Sequence, residues 1–127
     1  MEARNGYTIC LHTESEEGVE RILATAQKGR DGAYVFEKDG MRFGVMVQEG
    51  YVRIERRGEI DYRLELKAGE QTQTEIATQY GRIAAGIRVM RMERELAEEG
   101  CSVICEYAVE FGDFTRRHKM RFIAKVK

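Results

Sequence analysis

Residues Cys101–Phe111 read CSVICEYAVEF, Gly112-Asp113 follow, and Phe114–Val126 read FTRRHKMRFIAKV. Every second position of the first run is apolar: Val103, Cys105, Tyr107, Val109 and Phe111. Met120, Phe122, Ala124 and Val126 match them beyond the two-residue corner. Period 2 on both sides of a Gly-Asp corner is the signature of a β-hairpin with one buried face. The pattern recurs upstream. Val52 and Ile54 alternate within Tyr51–Arg57; Ile60, Tyr62, Leu64 and Leu66 alternate against Asp61, Arg63 and Glu65. Ile76, Thr78 and Tyr80 share a face in the next segment, and Ile83, Ala85, Ile87 and Val89 alternate against Arg82 and Arg88. Nearer the N-terminus, Tyr7, Ile9 and Leu11 form a strand face, and Tyr34–Phe36 and Met41–Val47 flank a turn at Lys38-Asp39-Gly40. Gln48-Glu49-Gly50 reads as a second hairpin tip.

Two stretches are ambiguous. Ile22, Leu23 and Ala26 within Val19–Lys28 fit a strand or a short helix. The Met, Glu, Arg, Leu and Ala content of Arg88–Glu99 favours helix intrinsically. A long strand ending near Leu96 is the better reading, because Val89 continues the alternation and a charged tip, Glu98-Glu99-Gly100, follows. The chain therefore holds about eight to ten antiparallel strands, and a sheet of that many short strands must close or fold into two layers to remove its edges. The expected fold is an all-β antiparallel barrel.

A chain of 127 residues is one domain, here 1–127, and is long enough to bury one core without disulfides or metals. With 43% hydrophobic and 34% charged residues it belongs to the globular class. The absence of proline fits long strands joined by glycine corners. A formal net charge of -1 creates no overall field for nucleic acid or anionic lipid, so neither is an expected partner. Fifteen of the 21 basic residues are Arg. They are interleaved with Glu, as expected for cross-strand ion pairs on a wetted sheet face. Three cysteines do not make a disulfide framework, Met1–Leu11 lacks a charged-then-apolar leader, and no run approaches a membrane span. A reducing cytoplasm is the expected location.

The order of short motifs carries a resemblance. Val52-Arg53-Ile54-Glu55-Arg56-Arg57-Gly58-Glu59-Ile60 is followed by Leu64–Leu66, Gly69, Thr78-Gln79-Tyr80-Gly81, the long strand from Ile83 and Cys105-Glu106-Tyr107-Ala108-Val109. This resembles the YwiB-like family of uncharacterised bacterial proteins. The resemblance implies a calycin-type (lipocalin-like) barrel and no known enzymatic activity. Members carry an additional strand rich in Tyr and Glu where this chain has only Lys38–Met41. The departure implies a barrel one strand short or a fused second hairpin, with an edge that could pair two copies into a homodimer.

No constellation points to catalysis. Cys101 and Cys105 would lie roughly 13 Å apart on a strand, too far for one ion or one disulfide. His12 and His118 fall on opposite faces by parity, and a metal site needs three or more converging ligands. Ser15 and Ser102 sit in no nucleophile elbow, and no phosphate-binding loop occurs. The carboxylates Glu93/Glu95 and Glu98/Glu99 read as a solvated tip. No cofactor, metal site or catalytic residue is assigned. The outer Arg set, Arg53, Arg57, Arg63, Arg82 and Arg88 beside Tyr51, would suit an acidic partner or RNA if it converged, but Glu55, Glu59 and Glu65 dilute it. The remaining candidate is the barrel interior. Tyr62, Tyr80 and Tyr107 fall on apolar faces, and Arg56 shares the inward parity of Val52 and Ile54. An inward Arg is costly unless paired, so it either caps the barrel end or anchors an anionic head group. The expected function is a non-enzymatic binding module for a small amphipathic ligand, lined by Arg56, Tyr62, Tyr80 and Tyr107. The alternative is a protein or RNA interaction module using the Arg/Glu face or a strand edge.

Overall fold

The computed structural model describes residues 6–127. Ten strands follow one another: β1 (Gly6–Ser15), β2 (Gly18–Lys28), β3 (Tyr34–Lys38), β4 (Met41–Gln48), β5 (Tyr51–Arg57), β6 (Tyr62–Lys67), β7 (Gln71–Thr78), β8 (Gly81–Ala97), β9 (Gly100–Phe111) and β10 (Phe114–Val126). No helix occurs among the described residues. Both ambiguous stretches are strands, β2 and the second half of β8. In β2, Ile22 and Ala26 are buried while Leu23 faces water. The alternation in β8 breaks at Met90, where a bulge between Val89 and Arg91 shifts the register against β9. After it Met92, Arg94 and Leu96 pair with the inward-facing Cys105, Val103 and Cys101. A bulge keeps the charged half of β8 in the sheet without inverting β9.

The strands form one antiparallel sheet in the order β6-β5-β4-β3-β2-β1-β10-β9-β8-β7, curled into a nearly closed calycin-like barrel. Two leaves compose it. The larger is β2-β1-β10-β9-β8-β7; the smaller, β3 to β6, is an unbroken meander. They meet along two narrow lines. At the first, β2 and β3 share two residue pairs, Gln27↔Val35 and Lys28↔Tyr34. The second is the β6–β7 seam. Its backbone link is the bridge Asp61↔Ala77, whose two hydrogen bonds both measure 2.9 Å. Two side chains continue the seam: the Thr72 and Thr74 hydroxyls donate to the Glu65 and Arg63 carbonyls at 2.6 and 2.7 Å.

The second hairpin is not fused. β3 and β4 pair over all five residues of β3, around Asp39 and Gly40, which both take positive φ, as a two-residue hairpin turn requires. Gly100 serves a different need. A Cβ there would lie 1.9 Å from the Ala124 carbonyl oxygen, so only glycine lets β9 start so close to β10.

The core fills the end of the barrel where the leaves meet at β2–β3. Tyr7 packs edge-on against Tyr34 with centroids 5.0 Å apart, Tyr34 reaches Phe122 at 5.6 Å, and Phe36 stacks on Phe43 at 5.2 Å. Val52, Leu64 and Val109 are buried, as the alternation requires. The Lys28 ammonium sits over the Tyr34 ring, 5.2 Å from its centroid, at that two-pair junction.

Candidate functional site

The other end of the barrel is not filled. β2 leaves β3 after two pairs, so from Gly18 to Ala26 its outer edge has no partner strand. A cavity of about 430 Å³ lies beneath the opening. Its apolar wall comes from inward positions of six strands: Leu11, Phe43, Ile54, Leu64, Ile76 and Val109. Above them the lining turns polar, with Thr13, Ser15, Tyr62, Tyr107 and His118, and Arg56, Arg116, Glu17 and Glu20 stand among the lining residues. Apolar walls with a few convergent polar groups are the usual composition of a small-molecule pocket.

Three of the four residues expected from the sequence are brought together here. Arg56 and Tyr62 are direct cross-strand partners on β5 and β6, and Tyr107 lies among the other lining residues. Tyr80 is a correction. It is 90% exposed in the β7–β8 turn and does not line the cavity. By parity it continues the face of Ile76 and Thr78, but the strand ends at Thr78. The Thr78 hydroxyl accepts from the Tyr80 amide and donates to the Gly81 carbonyl, which reverses the chain and turns the ring outward.

Arg56 is the most unusual group of the site. Its side chain is 15% exposed. Nε is buried with no hydrogen-bond partner, one terminal nitrogen donates to the Met41 sulfur, and the other lies 3.8 Å from a Glu20 carboxylate oxygen. The guanidinium also covers the Phe43 ring at 5.5 Å. Gly58 permits this: a Cβ there would come within 3.0 Å of Met41 Cγ. A guanidinium has five donors, and here a thioether, a distant carboxylate and the cross-strand Tyr62 hydroxyl are what it meets. It is charged, mostly dry and incompletely matched.

The neighbours are tuned by burial. Burial raises the Tyr62 hydroxyl, with Arg56 opposing, and drives the Tyr107 hydroxyl far above its ordinary range. His118 stacks on Tyr107 with rings nearly parallel at 5.2 Å. Burial lowers His118, and the Arg116 charge adds to this. Neutral tyrosines and a neutral histidine therefore line the cavity near pH 7, beside the side chains of Arg56, Arg116, Glu17 and Glu20. Arg116 pairs with Glu17 at 3.1 Å across the gap between β10 and the β1–β2 turn.

Sequence reasoning missed Glu17, Glu20, Met41 and Arg116. Glu20 had a legible signal: it shares the inward parity of Ile22 and Ala26. Other constellations disperse. His12 pairs with Glu14 and lies opposite Arg121, whereas His118 lies opposite Ser15. No three His, Cys, Asp or Glu side chains converge among the described residues. Cys101 and Cys105 are buried on one face of β9, and burial pushes the Cys105 thiol up to about 12. Four of the five outer Arg residues are tied up in ion pairs: Arg53 with Asp31 and Glu55, Arg57 with Glu55, Arg82 with Glu75, Arg88 with Glu110. No helix among the described residues is long and apolar enough to cross a membrane.

Residues 33–121 match the family described as "Domain of unknown function (DUF1934)". The chain belongs to this family. It is similar over 98% of its length to the ywiB protein from Bacillus subtilis, covering 94% of that chain at 18% identity and a TM-score of 0.72. That likeness shows the fold, and it bears out the YwiB-like resemblance read from the motif order. No curated protein matches the chain. The matched span takes in β3 to β9, and so holds Arg56, Tyr62 and Tyr107 but neither Glu17 nor Glu20.

Proposed function

We propose that the protein is a non-enzymatic binding module that holds a small amphipathic ligand in the open end of its barrel. The observation that carries this reading is the pairing of an apolar cavity of about 430 Å³ with an under-coordinated Arg56 among its lining residues. Leu11, Ile54, Leu64 and Val109 supply a surface that favours an apolar body. Arg56, Tyr62 and Tyr107 supply the polar contacts that fix its orientation. The fold supports the reading as analogy, since small barrels either fill with side chains or hold one small ligand.

The test is titration with the fluorescent amphipathic anion anilinonaphthalene sulfonate. The expected result is saturable enhancement at one site, lost in the cavity-filling variant Ile76→Trp while that variant keeps a cooperative unfolding transition. Equal enhancement by both proteins, or none by either, rejects the cavity as a binding site. Native mass spectrometry of protein purified from its host then looks for the co-purifying molecule.

A further inference from the structure

We infer that the ligand's polar end is a single carboxylate, and that Glu20 is an internal carboxylate occupying its place at Arg56 while the cavity is empty. The inference rests on the binding reading above and specifies its head-group chemistry.

The geometry of Arg56 is that of a fork waiting for a plane. A carboxylate satisfies a guanidinium by taking two parallel hydrogen bonds from one edge, and the edge beside Glu20 is the one formed by the two terminal nitrogens. Here the nearest carboxylate oxygen stands 3.8 Å from Nη1, beyond hydrogen-bond distance, and Nη2 is held by the Met41 sulfur, a weak acceptor. Glu20 supplies charge and no fork. Its side chain is 52% exposed, so returning it to water costs little. Arg56, in contrast, is held mostly dry by its place on the inward face of β5 between β4 and β6. Exchange of Glu20 for an incoming carboxylate converts one loose ion pair into a two-pronged one. It also places the apolar body of the ligand over Phe43 and Ile54, the apolar cavity residues nearest Arg56 in strand register.

The charges at the site choose between anions. Arg56 and Arg116 balance Glu17 and Glu20. His118 adds no charge near pH 7, because burial keeps it neutral. A monocarboxylate that displaces Glu20 into solvent leaves the site close to neutral. A phosphate monoester, at about −1.5 to −2, leaves excess negative charge beside Glu17. An uncharged alcohol leaves Glu20 where it is and the two terminal nitrogens without a fork. The position of Glu20 permits the exchange: it lies on the partnerless edge of β2, so its retreat breaks no ladder bond between β2 and β3.

Glu20→Gln keeps the shape of the side chain and removes the competing charge. The experiment measures affinity of wild type and E20Q for decanoate, decan-1-ol and decyl phosphate by calorimetry at fixed salt. The expected result is decanoate binding that tightens about two- to fivefold in E20Q, an unchanged and weaker affinity for decan-1-ol, and decyl phosphate weaker than decanoate on wild type. Equal decanoate affinity in the two proteins overturns the role of Glu20 while the binding reading stands. Decyl phosphate binding tighter than decanoate overturns the carboxylate assignment. No binding of any of the three by either protein overturns the inference together with the binding reading.

Discussion

The two ends of this barrel are built from the same strands by the same alternation, yet one is solid and the other hollow. At the solid end the inward positions carry Tyr7, Tyr34, Phe36 and Phe122, whose rings touch one another. At the hollow end the same strands carry Leu11, Thr13 and Ser15 on β1 and Arg116 and His118 on β10. Short or polar side chains stand side by side on this paired wall, where the solid end has rings. The difference teaches that alternation specifies closure of the wall, while side-chain size along each inward row specifies whether the interior fills. The hollow end is also where the leaves part: β2 turns away from β3 beyond Gln27, so the space acquires an entrance.

The comparison can be broken most severely at the solid end. Phe122→Ala removes a ring that is 0% exposed and packed against Tyr34 and Phe36. The expected loss is about 3–5 kcal/mol of unfolding free energy, read from the urea midpoint. Arg56→Met, at the hollow end, should instead leave stability equal or raise it by about 1 kcal/mol, because it replaces an under-coordinated, mostly buried charge with an apolar chain of similar length. The same variant should lose decanoate binding. A stability loss as large as that of Phe122→Ala would show that Arg56 is structural cement and not a docking group. Tyr107→Phe should cost no more than about 1 kcal/mol, since it removes a hydroxyl and leaves the ring on His118.

The smallest effect sharpens the contrast through pH. His118 has a lowered proton affinity in the folded protein, from burial first and Arg116 second. Above its ordinary value of 6.5 the imidazole is neutral in both states and contributes no pH dependence. As pH falls through 6.5 the unfolded chain takes up the proton first, so stability declines until the folded imidazole is protonated as well. Urea midpoints between pH 7.5 and pH 5 should fall more steeply for wild type than for His118→Gln. Parallel slopes would show that the histidine is solvated despite its stacking.

Much of this was legible because β-structure writes itself in parity. Val52, Leu64 and Val109 are buried where alternation puts them, and Arg56 faces inward for the same reason. What parity cannot state is where a strand stops. Tyr80 continued a perfect alternation and yet lies one residue before Gly81, whose φ of 127° marks the turn. Nor does parity state which strands separate. Glu20 was inward by register, but its meeting with Arg56 depends on β2 leaving β3, a property of the curled sheet and of no single segment. The bulge after Val89 was hidden for a related reason: Met90 fits either face by composition, and the pairing with β9 decides.

The way the leaves are joined has its own consequence. The β3–β6 meander is one continuous passage of chain, joined to the rest along its margins by two pairs on one side and by one bridge and two threonine hydroxyls on the other, and packed on it at the solid end through Tyr34 and Phe36. The thin margins are where such a two-valved shell is expected to open first, each valve staying intact. Amide deuteration should therefore enter first at Asp61, Ala77 and Val35, long before the centres of β5 or β9. The interior volume offered to a guest would then be set by how far the valves part, not by the dimensions of the shut shell.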